Sequence, residues 1–293
     1  MSGVRIEPIG PGRFELGESP VWDERSERLY WTDGLRGVVY AATVDGTIEA
    51  TWTFPEGVGS FCLTAAGTIL AACATGLVEL DPGSGDWARL HSFDAEGGAT
   101  RLNDGKVAPD GSFVFGSMDR AEETPLGAAY RYTTDRRVDQ LADGFVVFNG
   151  PTWSPDGTLF YAADSGAGLL MRYERDAAGL LGSPTVIASA DRPFEGSFDG
   201  ATVDEQGFLW SARVFGGRLT RFNPDGVIDR EVVLPVRKPT SVCFGGSDLS
   251  ILFVTSMGAQ LSPRFPPDGR LGGAVFTARG IGVRGLPMRR FAG

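Results

Sequence analysis

Short apolar runs separated by turn residues follow one another along the whole chain of 293 residues. Few stretches keep the apolar period of a helix, and 42 glycines and 18 prolines are spread over the full length. Short runs bounded by glycine, proline, asparagine and aspartate are typical of β-strands joined by tight turns. The pattern therefore predicts an all-β fold.

One unit of strand, turn and strand recurs along the chain. Its clearest copies are residues 107–113, 153–159 and 203–209, in which an apolar residue precedes a tight turn with glycine and a second strand. The apolar positions that mark the six copies are Trp22, Leu63, Val107, Trp153, Val203 and Val242. They are 41, 44, 46, 50 and 39 residues apart, which is the range of a four-stranded propeller blade.

A third strand follows each copy, so the six copies predict one six-bladed β-propeller domain over residues 1–293, with a central channel. Residues 4–9 precede the first copy, and we expect this N-terminal strand to pair with the last blade and close the ring. The alternative is a sandwich of two sheets, which the six-fold register disfavours.

The composition excludes several classes of protein. Apolar residues make up 42% of the chain, enough for a core, but no window approaches the ~18 uninterrupted apolar residues of a membrane helix. The net charge of −10 argues against nucleic acid as a partner. Without a visible secretory signal or a CxxC pair, we expect a cytoplasmic protein, a monomer or weak homo-oligomer, whose Cys62, Cys73 and Cys243 are reduced and buried.

The chain has a single histidine, His91, in an alternating run that we expect to be an exposed outer strand. A Ser-His-Asp triad, a Cys-His dyad or a neutral histidine base would all depend on this residue. No G-x-S-x-G motif occurs either. If the protein is an enzyme, its chemistry therefore uses carboxylates, amides and a hard metal ion.

Equivalent positions of the inner strands of a propeller converge at one end of its channel. Four residues before each repeated apolar position, the chain has Glu18, Gly59, Asn103, Asn149, Asp199 and Lys238. Two carboxylates and two amides around one channel call for a cation between them, and their oxygens suit a divalent ion such as Ca²⁺, Mg²⁺ or Mn²⁺. Taken singly, each asparagine is equally consistent with turn chemistry.

Several motifs resemble, in order, the regucalcin (senescence marker protein)/gluconolactonase family. They are LGESPVW at residues 16–22, RLNDGK at 101–106, FNGPTWSPDG at 148–157, DGATVD at 199–204, GFLWSAR at 207–213 and FGGSDL at 244–249. The resemblance spans essentially the whole chain. It implies a six-bladed propeller that hydrolyses a sugar-acid (aldono) lactone to the free aldonic acid in carbohydrate catabolism. It also implies one divalent cation: Ca²⁺, Mg²⁺, Mn²⁺, Zn²⁺ or Fe²⁺.

The family's functional residues can be placed one by one. Its metal ligands fall on Glu18, Asn149 and Asp199, three of the ring positions that the repeat selects, and Asp199 is also the candidate general base. Its substrate-binding arginine and asparagine fall on Arg101 and Asn103.

One further substrate-binding glutamate lies beyond Gly116-Ser117-Met118. Counting back from residues 127–130 favours Glu123 and leaves Glu122 open because loop lengths vary there. Ser117 replaces the family's common threonine, and Phe198 replaces the proline before the metal-binding aspartate. We expect Phe198 to change the lining of the pocket.

Two other functions remain open at this stage. One is a calcium-binding or regulatory propeller without catalysis, which would not require Arg101, Asn103 and Glu123. The other is a broader metal-dependent esterase or organophosphate hydrolase, whose apolar pocket could be lined by Phe145, Phe148, Phe194 and Phe198. The arginine-rich residues 284–290 are expected to form a solvated outer strand or tail.

Overall fold

The computed structural model describes residues 3–10, 12–93, 98–190, 196–259 and 268–293. Within these ranges, 24 strands form six four-stranded antiparallel sheets, and one short 3-10 helix, η1, spans Gly269–Leu271. No helix of the described residues is long and apolar enough to cross a bilayer. The all-β six-bladed propeller predicted from the repeat is therefore confirmed.

Each sheet is one blade, with the strand that contains the repeated apolar position innermost. From the innermost strand outward, the first blade consists of β2 (Gly17–Asp23), β3 (Arg28–Asp33), β4 (Val38–Ala42) and β5 (Ile48–Thr53). The second blade consists of β6 (Val58–Leu63), β7 (Ile69–Cys73), β8 (Gly76–Leu80) and β9 (Trp87–Ser92). The third blade consists of β10 (Thr100–Val107), β11 (Phe113–Asp119), β12 (Gly127–Tyr132) and β13 (Val138–Phe145). The fourth blade consists of β14 (Phe148–Trp153), β15 (Leu159–Asp164), β16 (Leu169–Glu174) and β17 (Thr185–Ser189). The fifth blade consists of β18 (Ser197–Val203), β19 (Leu209–Val214), β20 (Arg218–Phe222) and β21 (Ile228–Val233). The sixth blade consists of β22 (Pro239–Gly245), β23 (Ile251–Ser256), β24 (Val275–Arg279) and β1 (Arg5–Ile9).

The N-terminal strand closes the ring, as the sequence predicts. β1 is the outermost strand of the last sheet and pairs antiparallel with β24, with Arg5 opposite Arg279 and Ile9 opposite Val275. The two ends of the propeller sequence therefore share one sheet, and the inner strands stay in register around the channel.

Apolar side chains fill the spaces between neighbouring blades. Trp22, Trp31, Trp153 and Trp210 are all buried, as expected for blade cores. Trp210 of the fifth blade meets Phe244 of the sixth edge to face, with ring centroids 6.4 Å apart. Burying a side chain of this size removes a large apolar area from water, so blade-to-blade packing holds the inner strands in place.

The C-terminal tail is docked, contrary to the solvated strand or tail expected from its arginines. Gly285 donates its N–H to Leu249 O, and Arg290 donates to Thr64 O (2.9 Å) and to Asp23 Oδ1 (2.7 Å). The tail thus crosses from the last blade to the first two, on the side where the inner strands end. Apolar residues on either side of the arginine-rich stretch, which a charge count overlooks, make this docking favourable: Ile281, Val283 and Phe291 are each no more than 5% exposed.

The three cysteines and the single histidine lie where the sequence predicts. Cys62, Cys73 and Cys243 are free and buried, and burial raises the pKa of Cys73 and of Cys243 to about 12. His91 is exposed on β9, the outermost strand of its blade. Burial raises the pKa of all three thiols, which disfavours their reactive thiolate form, and His91 lies away from the inner strands.

Candidate active site

The innermost strands share a local distortion close to the end where each begins. In the described sheets, all six have a shift in pairing register, at Glu18/Val21, Val58/Ser60, Leu102/Gly105, Asn149/Thr152, Phe198/Ala201 and Pro239/Val242. A bulge of this kind leaves residues unpaired and redirects their side chains. The polar ring residues Glu18, Asn103, Asn149 and Asp199 lie at or within these bulges, which is how extended strands bring them together.

Two residues that follow ring positions have left-handed backbone conformations. Ser19, after Glu18, has a φ of 50°, and Gly150, after Asn149, has a φ of 59°. A Cβ at Gly150 would also lie 2.8 Å from Asp199 O, so glycine is required there by conformation and by space. The Asn-Gly-Pro segment is therefore part of the contact between the fourth and fifth blades.

A chain of hydrogen bonds connects the amides of the site. Arg101 Nη1 donates to Asn103 Oδ1 (2.8 Å), and Asn103 Nδ2 donates to Asn149 Oδ1 (3.1 Å). Asn149 Nδ2 in turn donates to Ser165 Oγ (2.8 Å). Because Ser165 occupies the amide nitrogen, the oxygen of Asn149 is the atom on the side of Asn103, which is the orientation a cation ligand needs.

Asp104 and Ser165 support this arrangement, and neither was assigned to the site from the sequence. Asp104 accepts hydrogen bonds from Gly105 N (2.8 Å) and from Gly150 N in the next blade (2.9 Å). Ser165 donates to Phe198 O, next to Asp199. Asp104 could have been suspected from its place beside Asn103, whereas Ser165 follows the second strand of its blade and shows no repeat signal.

The carboxylates are crowded. Burial raises the pKa of Glu18 well above its usual range, and the charges of Asp199 and Asp104 raise it further. Burial likewise raises the pKa of Asp199, with Asp104 as the strongest neighbouring charge. Both effects penalise a cluster of negative charge away from water, and a cation between the carboxylates would relieve them.

The carboxylates also keep oxygens available. Glu18 Oε2 accepts the N–H of Ser19 (3.2 Å), and Asp199 Oδ1 accepts the N–H of Gly200 (3.0 Å). The second oxygen of each group accepts no hydrogen bond from the described residues. Among those residues, no set of three or more His, Cys, Asp or Glu forms a metal-binding cluster. A cation at the ring would instead need the amide oxygen of Asn149 beside the two carboxylates, which is a donor set that suits hard divalent ions.

The two glutamates left open in the sequence differ in the charge that they exert on the site. Arg101 has its pKa lowered by burial, and Glu122 is the strongest negative charge acting on it. Glu122 also raises the pKa of Asp199, after burial and Asp104. Both glutamates are exposed, and Glu123 donates its backbone N–H to Asp119 Oδ2 (3.1 Å). Of the two, Glu122 is therefore the glutamate whose charge acts on Arg101 and Asp199.

Two lysines lie close to the channel strands. Lys106 Nζ donates to Ala201 O, and the charge of Asp104 offsets the lowering of the Lys106 pKa by burial. Lys106 is thus an internal countercharge between the third and fifth blades. Lys238, the ring position of the sixth blade, is buried and donates to Ala259 O (2.9 Å).

The phenylalanines considered as pocket lining are core residues. Phe145, Phe148 and Phe198 are no more than 2% exposed and pack between blades. Phe198 lies under the guanidinium of Arg213, 4.1 Å from Cζ to the ring centroid. Phe194 lies outside the described residues. The expectation that Phe198 lines the pocket is therefore wrong, because its side chain points into the blade and only its neighbour Asp199 belongs to the ring.

Glu18, Arg101 and Asn103 line a cavity of about 260 Å³. The cavity is large enough for a small organic molecule, and it combines a carboxylate, an amide and two guanidinium groups, those of Arg101 and Arg120, on otherwise apolar walls. Such a site can orient hydroxyl groups and place a polarised carbonyl beside a carboxylate base.

Comparisons with known proteins find relatives along nearly the whole chain. Residues 16–258 match the family model described as SMP-30/Gluconolactonase/LRE-like region. The chain is 36% identical over 279 residues to a 6-deoxy-6-sulfogluconolactonase of Pseudomonas putida, covering 95% of each protein. It is 33% identical over 299 residues to an L-arabinolactonase of Azospirillum brasilense, covering 99% of this chain and 98% of the relative.

A solved structure also resembles this chain in fold and sequence. The calcium-binding protein regucalcin of Agrobacterium tumefaciens superposes with a TM-score of 0.89 at 27% identity, covering 97% of this chain and 96% of that one. With the family match extending over most of the chain and relatives above 30% identity along nearly its full length, the protein belongs to the SMP-30/gluconolactonase/LRE-like family.

Proposed function

We propose that the protein is a lactonase that hydrolyses a sugar-acid lactone to the free aldonic acid with the help of one divalent cation. The observation that carries the proposal is the convergence of Glu18, Asn149 and Asp199 at the bulged beginnings of three inner strands, linked through Asn103 to the cavity residue Arg101. Two relatives named as lactonases of sugar acids support it.

Glu18, Asn149 and Asp199 would hold the cation. The crowding of the carboxylates, their available oxygens and the orientation of the Asn149 amide fit a hard ion such as Ca²⁺, Mg²⁺ or Mn²⁺, with Zn²⁺ and Fe²⁺ as other candidates. When bound, such a cation polarises the lactone carbonyl and offsets the negative charge that develops on its oxygen.

Asp199 would act as the general base. Its Oδ1 is held by the N–H of Gly200, and its second oxygen accepts the proton of the water that attacks the carbonyl carbon. The bond between the carbonyl carbon and the ring oxygen then breaks. The proton passes from Asp199 to the departing alkoxide, so the products are the carboxylic acid and a free hydroxyl group.

Arg101, Asn103 and Glu122 would orient the sugar. The guanidinium donates to hydroxyl oxygens in a fixed geometry, and the carboxylate of Glu122 accepts from hydroxyl groups. We assign Glu122 to this role in place of Glu123, because Glu122 is the carboxylate that acts on Arg101 and Asp199.

Two observations argue against the alternative functions. A calcium-binding propeller without catalysis does not require an arginine and a glutamate beside the cation ligands, although the solved regucalcin is described as a calcium-binding protein. An esterase with an apolar pocket would need exposed aromatic residues, but Phe145, Phe148 and Phe198 are buried in the blades.

Hydrolysis of a panel of lactones tests the function. We expect the protein to open the ring of D-glucono-1,5-lactone, L-arabinono-1,4-lactone or an acidic analogue. The reaction is measured by the acid that it releases at constant pH. Activity on p-nitrophenyl esters with none on any aldonolactone would contradict the proposal in favour of the esterase. Cation binding without hydrolysis of any member would favour the regulatory propeller.

Arg101→Ala is expected to raise KM about 10–100-fold while the cation affinity changes less than about threefold, since a hydrogen bond from a charged group contributes on the order of 1.5–3 kcal/mol. Steady-state kinetics and calorimetric titration with Ca²⁺ measure the two quantities separately. An unchanged KM would remove Arg101 from substrate binding, and an equal loss of cation affinity would place it in the metal site instead.

Ser165→Ala is expected to weaken cation affinity about 10–100-fold, as is typical when a group that orients a metal ligand is removed. The hydroxyl holds both Asn149 Nδ2 and Phe198 O, so the variant frees the amide of Asn149 to rotate. Ser112→Ala is the matched control, because the hydroxyl of this buried serine bonds to Asp110 in a turn at the far end of its blade. Equal affinities for Ser165→Ala and the wild type would exclude the positioning role.

A further inference from the structure

A second guanidinium lies in the wall of the active-site cavity. Arg120, just after β11, lines the same cavity as Glu18, Arg101 and Asn103. Its backbone N–H donates to Ala99 O (2.9 Å), and its Nε donates to Thr100 O (3.0 Å). These two bonds hold the guanidinium at the start of β10 while leaving its two terminal nitrogens for another partner.

The charges of the two arginines are balanced differently. Arg101 is surrounded by Glu122, Glu18 and Asp199, all of which favour its charged form. Arg120 acts on Arg101 as a like charge and lowers its pKa. Within the described ranges, no carboxylate lies within ion-pair distance of Arg120. Arg120 is therefore a cationic group of the cavity wall to which the described residues bring no carboxylate partner.

The rest of the wall offers few polar partners. Besides Glu18, Arg101, Asn103 and Arg120, it consists of aliphatic residues and glycines. Hydroxyl groups of a neutral sugar at this end would meet mostly aliphatic surface, and a neutral substrate would not need a second cationic group. An exposed arginine on such a wall is suited to a negatively charged group, which its planar fork binds through two hydrogen bonds.

The order of the polar groups along β10 gives this negative group a position. Arg101 and Asn103 are two residues apart on one face of the strand, and Arg120 bonds to the backbone at the level of Ala99, two residues further out. Arg101 Nη1 reaches Asn103 Oδ1 (2.8 Å), whereas Arg120 Nε is anchored at Thr100 O, three residues and about 10 Å of strand from Asn103. A lactone with its carbonyl at the carboxylate ring would extend its carbon chain past Arg101 and bring the far end of the chain towards Arg120.

We propose that Arg120 binds an anionic substituent at the end of the sugar chain remote from the lactone, so that the preferred substrate is an acidic aldonolactone. The inference rests on the proposed lactonase activity. Carboxylate, phosphate and sulfonate groups share the chemistry that a guanidinium recognises. The protein carries a net charge of −10, which repels anions at long range, so an acidic substrate requires a local cationic site of this kind.

The test compares kcat/KM for acidic and neutral lactones in Arg120→Gln and the wild type. The neutral probe is D-glucono-1,5-lactone, and the acidic probes are its 6-phospho and 6-deoxy-6-sulfo analogues and D-glucaro-1,4-lactone. We expect the ratio of acidic to neutral kcat/KM to fall about 10–100-fold in Arg120→Gln, the value of a charge-assisted hydrogen bond. The acidic probe with the largest fall identifies the type of anion.

Two further variants make the test specific. Arg25→Gln makes the same change in an exposed turn between β2 and β3, at the other end of the propeller, and should leave the ratio unchanged. Arg120→Lys keeps the charge but loses the planar fork, and should retain part of the preference. Raising the ionic strength should lower the wild-type ratio towards that of Arg120→Gln.

The outcomes separate this inference from the proposed function. If the wild type hydrolyses neutral and acidic lactones and the ratio is the same in Arg120→Gln, the anion site is overturned and the lactonase stands. An equal fall in Arg25→Gln would reduce the effect to net charge and also overturn it. No hydrolysis of any probe by the wild type would contradict the lactonase itself.

Discussion

Asp199→Asn is expected to lower turnover by about 10²–10⁴-fold at saturating cation, the usual contribution of a general base. Asparagine keeps an oxygen of similar size at the bulge of β18, so a cation can still bind when its concentration is raised. It cannot accept a proton from water at neutral pH. Calorimetric titration first establishes the cation concentration that saturates the variant, and kcat is then measured at that concentration.

The matched control for this change is Asp248→Asn, which alters an exposed turn between β22 and β23 whose carboxylate bonds mainly to Ser250. Its kcat should equal that of the wild type. Full turnover by saturated Asp199→Asn would limit Asp199 to the role of a ligand. Glu18, whose second oxygen also lacks a described partner, would then be the next candidate for the base.

Asp204→Ala is expected to destabilise the protein by about 3–5 kcal/mol, the range for removing one partner of a buried ion pair. Asp204 is fully buried and accepts hydrogen bonds from Trp210 Nε1 (2.9 Å), Arg221 Nε (2.8 Å) and the backbone N–H groups of residues 206 and 208. Without it, the guanidinium of Arg221 remains buried with less compensation. The free energy of unfolding from urea titration measures the effect.

Asp229→Ala provides the comparison, because Asp229 pairs with the same guanidinium (2.8 Å) but is partly exposed. Its loss should cost no more than about 1 kcal/mol. Replacing both Asp204 and Arg221 by apolar residues should recover much of the loss, since no charge is then left buried alone. A cost below about 1 kcal/mol for Asp204→Ala would show that the ion pair does not stabilise the fifth blade.

The fold was predictable because the signal is repeated. Each blade has an apolar residue before a tight turn, and six copies in register determine the number of blades and the position of the inner strands. The same register brought Glu18, Asn103, Asn149 and Asp199 to one end of the channel. The closure by β1 was predictable too, since a strand before the first copy has no other sheet to join.

Features outside the repeat were not predictable. Ser165 orients Asn149 from the end of a second strand, and the bond from Gly150 N to Asp104 depends on how adjacent blades pack. The choice between Glu122 and Glu123 depends on a turn in which Glu122 has a φ of 56°, which residue counting does not reveal. Phe198 illustrates the same limit: in a strand, neighbouring side chains face opposite sides, so a residue next to Asp199 can be entirely buried.

Cation titration of the metal-free protein tests the central claim most directly. The protein is stripped with a chelator, shown by elemental analysis to be metal-free, and titrated with Ca²⁺, Mg²⁺, Mn²⁺ or Zn²⁺ while bound cation and lactone hydrolysis are both measured. The account predicts no hydrolysis at the start and a rate that rises in proportion to the occupancy of one site per chain. It also predicts that Glu18→Gln shifts both curves to higher concentration. Full hydrolysis by the metal-free protein, or unchanged binding in Glu18→Gln, would contradict it.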